Sequence, residues 1–473
     1  MRNQNRSGVL WVMVLGTMMA GLDSSIVNIS LPVMSRQFDC SLDDIEWVIT
    51  VYMLSFSLLM PMTNWLKSKL GFFNLYIAAI GLFTLGSVLC ALSGSLETLL
   101  IARVIQALGG GAIAPVSMAI VSYVFPARVR GSVLGWWGLG NLMGPAMGPT
   151  LGGFLTEHFG WPSIFFINLP IGIIAIALSF RYLGFLRQQV MVKIPFDLSG
   201  FVAFTIFLIT LQYGIAKAER IGWTGPQILI SLAVAIVALV CFIFIERKKE
   251  FPLIDLQLFR NYAFVSCILV TISRSAALFG GLFLLPFLLQ GLLGYSESAS
   301  GLLILPNALL MAALMPFAGK WSDKHGSRKI SMVGLALLAL SMWMFSLLDQ
   351  GSPIALILTA MSIRGIGMGL LVAPLSAATI SAVRPAEVTM ASAVSSLLQQ
   401  VGGALGIAVL AIISQSAIRT HMAAGMSEPL AQHLALQTGF RVSMGILLVT
   451  LIPAWFLPRK NTAVPDDDQR IHT

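Results

Sequence analysis

Apolar runs recur along the whole of this sequence, each as long as the roughly 18 residues a helix needs to cross a bilayer core of about 30 Å. Fourteen are expected, with soft ends: 9–31, 45–65, 72–93, 98–124, 132–156, 162–184, 198–216, 227–245, 263–290, 298–318, 329–348, 353–383, 391–416 and 440–457. Only 10% of the residues are charged, against about 25% in soluble chains. The fold class is therefore an all-α integral membrane protein. Met1 to Ser7 is short and basic, and the run after it is read as a first transmembrane helix rather than a removed signal peptide.

The formal net charge of +9 follows topology. Basic residues gather in alternate connections, at Arg2, Arg6, Lys67, Lys69, Arg128, Arg130, Arg247, Lys248, Lys249, Lys320, Lys324, Arg384 and Arg459 among others. The opposite connections hold Arg36, Lys217, Arg220, Arg419 and Arg441. This asymmetry predicts a multi-pass protein of the cytoplasmic (inner) membrane with both termini cytoplasmic. It also accounts for the basic balance without a nucleic-acid partner. The four cysteines are scattered and the five histidines lack ligand spacing, so no metal site is expected. There is no phosphate-binding loop of the Gly-Lys-Ser/Thr kind and no loop large enough for a catalytic domain, so neither an enzyme nor an ATP-driven pump is expected.

The sequence repeats itself. Asn64 to Asn74 (NWLKSKLGFFN) joins spans 2 and 3, and Gly319 to Lys329 (GKWSDKHGSRK) joins spans 10 and 11. Arg103 in span 4 corresponds to Arg364 in span 12. Spans 1–6 thus match spans 9–14, with spans 7 and 8 inserted. Paired bundles around a central site are a transporter architecture. The expected division is an N-terminal six-helix bundle over 1–190, inserted spans and linkers over 191–260, a C-terminal six-helix bundle over 261–458, and a tail over 459–473. The stretch Ser416 to Phe440 is expected as a loop that can hold a short amphipathic helix.

Ionisable residues inside spans are costly and mark function. Asp23 lies roughly 21 Å from one end of span 1 and Arg103 roughly 8 Å from the opposite end of span 4, at 1.5 Å per residue, so both reach a similar depth. They are expected to face one cavity, directly or through water. Burial favours the protonated carboxyl and the guanidinium the ionised one, a balance that suits a proton carrier; a static ion pair is the alternative. Asn28, Gln106 and Asn141 are further candidates for that cavity. Arg274 and Arg364 are intramembrane cations with no acid well inside spans 9–14. Carbonyls, water, Asp23 or an anionic substrate group are their candidate partners. Gly319, Asp323, Gly326 and Arg328 form a candidate latch.

In GNLMGPAMGPTLGG (Gly140 to Gly153), Gly140, Gly144, Gly148 and Gly152 recur every four residues, with Gly153 beside the last and Pro145 and Pro149 following two of them. Such spacing makes one helix face on which another backbone can approach closely. The face is expected to meet a helix of the C-terminal bundle, span 9 in the first place; ordinary helix packing is the alternative.

With LDSSIVNISLP (Leu22 to Pro32), RVIQALGGG (Arg103 to Gly111) and WPSIFFINLPIG (Trp161 to Gly172), these motifs resemble the major facilitator superfamily, specifically its fourteen-span drug:proton antiporter branch. The resemblance covers nearly the whole length. It implies two pseudo-symmetric six-helix bundles plus two inserted helices, a proton-coupling role for Asp23 and Arg103, and an antiporter motif at Gly140 to Gly153. One departure stands out: Asn64, Ser68, Phe72 and Phe73 replace the glycine, acid and bases of the first cytoplasmic motif, so the latch is assigned to Asp323 with Arg328. The function implied is export of small amphipathic drugs or toxic compounds across the bilayer by proton antiport, with no cofactor beyond the proton. Alternatives are export of an endogenous metabolite or amphipathic anion, a non-transporting sensor on the same fold, and a component of an efflux assembly with a periplasmic adaptor.

Overall fold

The computed structural model describes residues 6–459 except 41, 46, 189–193, 223, 224 and 296. Within its helices, the side chains of 29, 32, 42, 43, 141–146, 149, 150, 188, 216, 219–221, 297 and 298 also lie outside the description. The tail from 460 onward and the expected boundary at 190 and 191 fall outside the described residues.

Among the described residues, fifteen α-helices run in order: α1 (Arg6–Gln37), α2 (Leu42–Ile45), α3 (Trp47–Ala91), α4 (Leu96–Val124), α5 (Arg130–Phe159), α6 (Ser163–Phe166), α7 (Asn168–Tyr182), α8 (Leu198–Ile221), α9 (Pro226–Glu246), α10 (Tyr262–Pro286), α11 (Glu297–His325), α12 (Ser327–Phe345), α13 (Ile354–Ser381), α14 (Val388–Ala423) and α15 (Glu428–Ala454). Among the described residues, twelve helical segments are long and apolar enough to cross a membrane. Fourteen spans were expected. The long helix α3 counts once because it runs on through the expected loop Asn64 to Asn74, with only Gly71 leaving helical geometry (φ 72°, ψ 169°). The 30-residue α5 stands outside the twelve.

The repeat is visible in the backbone. Gly326, the only residue between α11 and α12, has φ 82° and ψ 162°, nearly the values of Gly71. Both sites need a left-handed turn that glycine alone makes cheaply. The expected loop Ser416 to Phe440 is mostly helix: α14 runs to Ala423, the chain turns through Gly425 (φ 81°), and α15 starts at Glu428 with Pro429 in its first turn. Polar residues past the end of an apolar run do not stop a helix; the glycine turn and the proline start set the boundaries.

Two bundles result. In the first, α1 packs on α5 and α7, and α3 on α4 and α7. In the second, α10 packs on α14 and α15, and α13 on α11 and α12. The bundles meet where α5 lies along α11 and where α14 lies along α3 and α4. The hairpin α8–α9 packs chiefly on itself and touches α3 and α14. Only 28% of its span residues are buried, against 78% for α4, so the hairpin sits at the periphery with apolar faces such as Ile230, Val237 and Phe244 outward.

The glycine face of α5 meets α1 within its own bundle, which corrects the expected contact with span 9. A Cβ at Gly140 would lie 2.7 Å from the Val14 carbonyl, one at Gly152 would lie 2.8 Å from the Ile26 carbonyl, and one at Gly148 would collide with Ser25. Contact with the other bundle is made by a second glycine row, Gly131, Gly135 and Gly138, against Met315, Pro316 and Gly319 of α11. Gly135 and Gly140 are five residues apart, about 140° around the helix at 3.6 residues per turn, so the two rows face different neighbours. Gly153 is partly exposed; the side-chain surroundings of Asn141, Gly144, Pro145 and Pro149 lie outside the described residues.

Candidate functional site

The site grows from close helix contact. Gly86 on α3 faces the backbone of Gln106 on α4, where a Cβ would lie 2.5 Å from Gln106 Cα. No larger residue could stand there, and the contact brings Ser87 beside Gln106. Ser87 Oγ donates to the Phe165 carbonyl at 2.9 Å and accepts from Gln106 Nε2 at 3.2 Å and Asn168 Nδ2 at 2.9 Å.

Asp23 enters from α1 and is fully buried. Its Oδ2 accepts from Arg103 Nη1 at 2.7 Å. Its Oδ1 accepts from Gln106 Nε2 at 2.7 Å, with Asn168 Nδ2 at 3.4 Å. Arg103 is itself 1% exposed. It donates from Nη1 to Gln106 Oε1 at 2.7 Å and from Nε to the Val48 carbonyl at 3.2 Å. The Tyr52 ring lies 4.0 Å beneath its guanidinium carbon and Phe165 5.6 Å away, within cation–π range. A carboxylate and a guanidinium are thus held in direct contact in the interior of one bundle, with both carboxylate oxygens engaged. Desolvation makes such a pair tight and makes the loss of either charge costly. The ion pair also ties α1 to α4.

Asp23 and Arg103, expected to face one cavity directly or through water, are in direct contact with Gln106 beside them, in a buried cluster. Asn28 is exposed and is not bonded to the cluster; five residues beyond Asp23, it lies on another side of α1. Asn168, Ser87 and Tyr52 belong to the cluster and were not singled out from the sequence. Asn168 left a signal, a polar residue inside an apolar run. Ser87 and Tyr52 left none, since a serine or tyrosine in a span is unremarked until its neighbours are known.

Among the described residues, the second bundle has no such pair. Arg274 on α10 donates from Nη2 to Gln399 Oε1 at 3.2 Å and to Ser275 Oγ at 3.4 Å. Arg364 on α13 donates from Nη2 to the Leu278 carbonyl at 3.4 Å. Both are buried.

At the ends of α5 and α11, Asp323 reaches across the bundle interface. Its Oδ1 accepts from Gly131 N at 2.7 Å and its Oδ2 from Ser132 N at 2.8 Å. These are N–H groups of the first turn of α5, which have no partner within their helix, and a carboxylate there also meets the positive end of the helix dipole. Gly319 makes the approach possible, since a Cβ on it would collide with the Gly131 carbonyl. Arg328, expected beside Asp323, turns elsewhere. Its Nε donates to the Leu457 carbonyl at 2.9 Å and its guanidinium lies 5.7 Å from the Trp455 ring, because the chain reverses at Gly326 and starts α12 on the side of α15. In the first repeat, Ser68 bonds the Trp65 carbonyl of its own helix at 2.7 Å.

The chain as a whole is similar to known proteins. The chain is 32% identical over 437 residues to the multidrug resistance protein Stp of Mycobacterium tuberculosis, covering 91% of this chain and 81% of that protein. It is 31% identical over 458 residues to the riboflavin transporter RibZ of Clostridioides difficile, covering 96% and 97%. The fold matches that of the human organic anion transporter MFSD10 with a TM-score of 0.66 over 96% of this chain and 100% of that one, at 15% identity. The family profile described as Major Facilitator Superfamily matches residues 13–407. With two packed helical bundles and a buried charge cluster in the first, the chain belongs to the Major Facilitator Superfamily of membrane transporters.

Proposed function

We propose that the protein exports small amphipathic drugs or toxic compounds across the cytoplasmic membrane in exchange for inward protons. The observation that carries this reading is the sealed cluster of Asp23, Arg103, Gln106 and Asn168. It holds a titratable group whose charge state is tied to the spacing of α1 and α4. In the cycle, ionised Asp23 keeps the Arg103 bond. Protonation at Oδ2 breaks it, leaves Arg103 to Gln106 Oε1, the Val48 carbonyl and the Tyr52 ring, and lets the first bundle repack. Return of the proton on the other side restores the pair. The bundles rock against each other along the Gly131–Gly138 seam, as paired bundles do in alternating access. Names of relatives support the substrate class, since Stp is called a multidrug resistance protein.

Fourteen spans fit this reading. At 45 residues and 1.5 Å per residue, α3 is roughly twice the length that a bilayer core accommodates, so it supplies two spans meeting at Gly71, and α5 supplies another. Six spans then precede the hairpin α8–α9 and six follow it, with the domain limits at about residues 190 and 260. The basic start of α5, the basic end of α11 and the Arg384 turn before α14 face the cytoplasm together with both termini, and the Asp323 contact is the cytoplasmic latch.

The test is transport in inverted membrane vesicles, with a dye following the proton gradient as cationic, neutral and anionic compounds are added. Compound-dependent proton movement is expected, and Asp23→Asn should abolish it. If no compound moves protons, antiport is wrong; full coupling in Asp23→Asn would remove that residue from the proton path.

A further inference from the structure

The two bundles treat their buried arginines differently. Arg103 has Asp23, Gln106, a carbonyl and an aromatic face around it. Arg274 and Arg364 are 6% and 7% exposed, yet their hydrogen bonds are few, long and all to neutral oxygens. The Nε groups of both are buried without a partner. A guanidinium offers five N–H donors, and taking it out of water is costly unless a counter-charge or a full set of acceptors replaces the water. Neither is present among the described residues. The acids of the second bundle whose side chains are described, Asp323, Asp349, Glu387 and Glu428, all stand at helix ends or in turns.

Both arginines bear on one stretch of α10. Arg364 reaches the carbonyl of Leu278, which lies one turn beyond Arg274 on α10. The position is also connected to the seam between the bundles. Gln399, which accepts from Arg274, precedes Gln400 on α14, and Gln400 Oε1 accepts from Ser57 Oγ of α3 at 2.7 Å. Gln399 and Gln400 are both partly exposed. Two buried cations short of acceptors, one of them on a glutamine that borders the bundle seam, make a receiver for negative charge.

We propose that Arg274 and Arg364 form an anion-binding subsite that takes the carboxylate, sulfonate or phosphate group of an amphipathic substrate. The planar guanidinium forks suit two-oxygen anions. Gln399 gates the approach from α14, and the apolar body of the ligand lies along the seam between α3 and α14. As a statement about substrate this rests on the transport reading above; as a statement about binding it does not.

The test uses three congeners with one aromatic body: naphthylacetate, naphthylacetamide and naphthylmethyl-trimethylammonium. Their binding to the purified full chain in nanodiscs of phosphatidylcholine is measured by calorimetry, and their transport in vesicles separately. Naphthylacetate is expected to bind at least about tenfold tighter than the amide, the scale of one charge-assisted contact. Arg274→Gln and Arg364→Gln should each remove most of that preference while leaving amide binding within about twofold, and Arg274→Lys should keep part of it. Equal binding of anion and amide by the unaltered protein overturns the proposal without any variant, as does an anion preference that persists in the folded double variant. Loss of naphthylacetate binding when phosphatidylglycerol is added to the nanodiscs would assign the subsite to lipid headgroups and overturn the substrate assignment. Anion binding with no transport of any congener would overturn the transport reading and leave the subsite standing.

Discussion

At Asp23 one buried carboxylate has three side-chain donors, so its neighbours hold it as much as it holds them. Removing one member of such a buried pair strands the other, at a cost of about 3–5 kcal/mol. Arg103→Ala is therefore expected to lower the melting temperature of the purified protein strongly. Combining Asp23→Asn with Arg103→Gln removes both charges together and should recover most of that stability while proton-coupled transport stays absent. A double variant as unstable as Arg103→Ala would mean that packing of the arginine on Tyr52 and Phe165, and not its charge, supports the bundle. The residue types Asp23 and Arg103 are legible in the sequence because charge in an apolar run needs a reason. The roles of Ser87 and Tyr52 are not, because a hydroxyl carries no sign of its partner until α3, α4 and α7 are side by side.

Helices in this protein meet where glycine lets them. In α5 two glycine rows about 140° apart serve two neighbours, one inside the bundle and one outside it. Gly148→Val and Gly135→Val should accordingly fail in different ways. The first drives a side chain into Ser25 of α1 and should reduce the yield of folded protein. The second wedges α5 from α11, where a Cβ would lie 2.6 Å from the Met315 carbonyl, and should leave a folded protein whose bundles no longer close at that end. Asp323→Asn keeps the shape of the latch but removes its charge from the first turn of α5, an interaction of about 0.3–1 kcal/mol. Cross-linking of cysteines placed at the ends of α5 and α11 is expected to slow by about two- to fivefold, as that free energy implies. An unchanged rate would reduce Asp323 to a static cap. The spacing of the glycines was visible in sequence; which row faces which helix was not, since spacing defines a face and not its occupant.

Over the whole molecule, the inserted hairpin α8–α9 is attached at few points. Asp197 caps α8 by accepting from Gly200 N at 3.1 Å and pairs with Lys249 Nζ at 3.2 Å, and it faces the Glu246 carboxyl across Gly200. Burial pushes the Asp197 carboxyl up, but the bonds from Gly200, Ser199 and Lys249 outweigh it and hold it below the ordinary value of 3.8. Its stabilisation is therefore complete above 3.8 and is lost as pH falls below that value. The Asp197 contribution should be unchanged from neutral pH down to about 5 and be lost only in stronger acid, where proteolysis at the ends of the hairpin should rise. In Asp197→Asn, cleavage should already be raised at neutral pH. Susceptibility that climbs between pH 7 and 5 would point to a different group.

Hydropathy and charge placement by themselves determined that this chain is a helical, multi-pass membrane protein built from two related halves. A bilayer accepts few kinds of backbone, and apolar length and repeated motifs are linear properties that a sequence displays directly. Tertiary structure alone decided that Asp23 is met by Gln106 and Asn168 as well as Arg103, and that Arg328 leaves Asp323 for the end of α15. It also decided that Arg364 reaches from α13 to the Leu278 carbonyl of α10, one turn beyond Arg274, with no acid bonded to either arginine among the described residues. Those outcomes depend on which helix faces come together, and rotation about a helix axis is set by packing against neighbours, which no single span encodes.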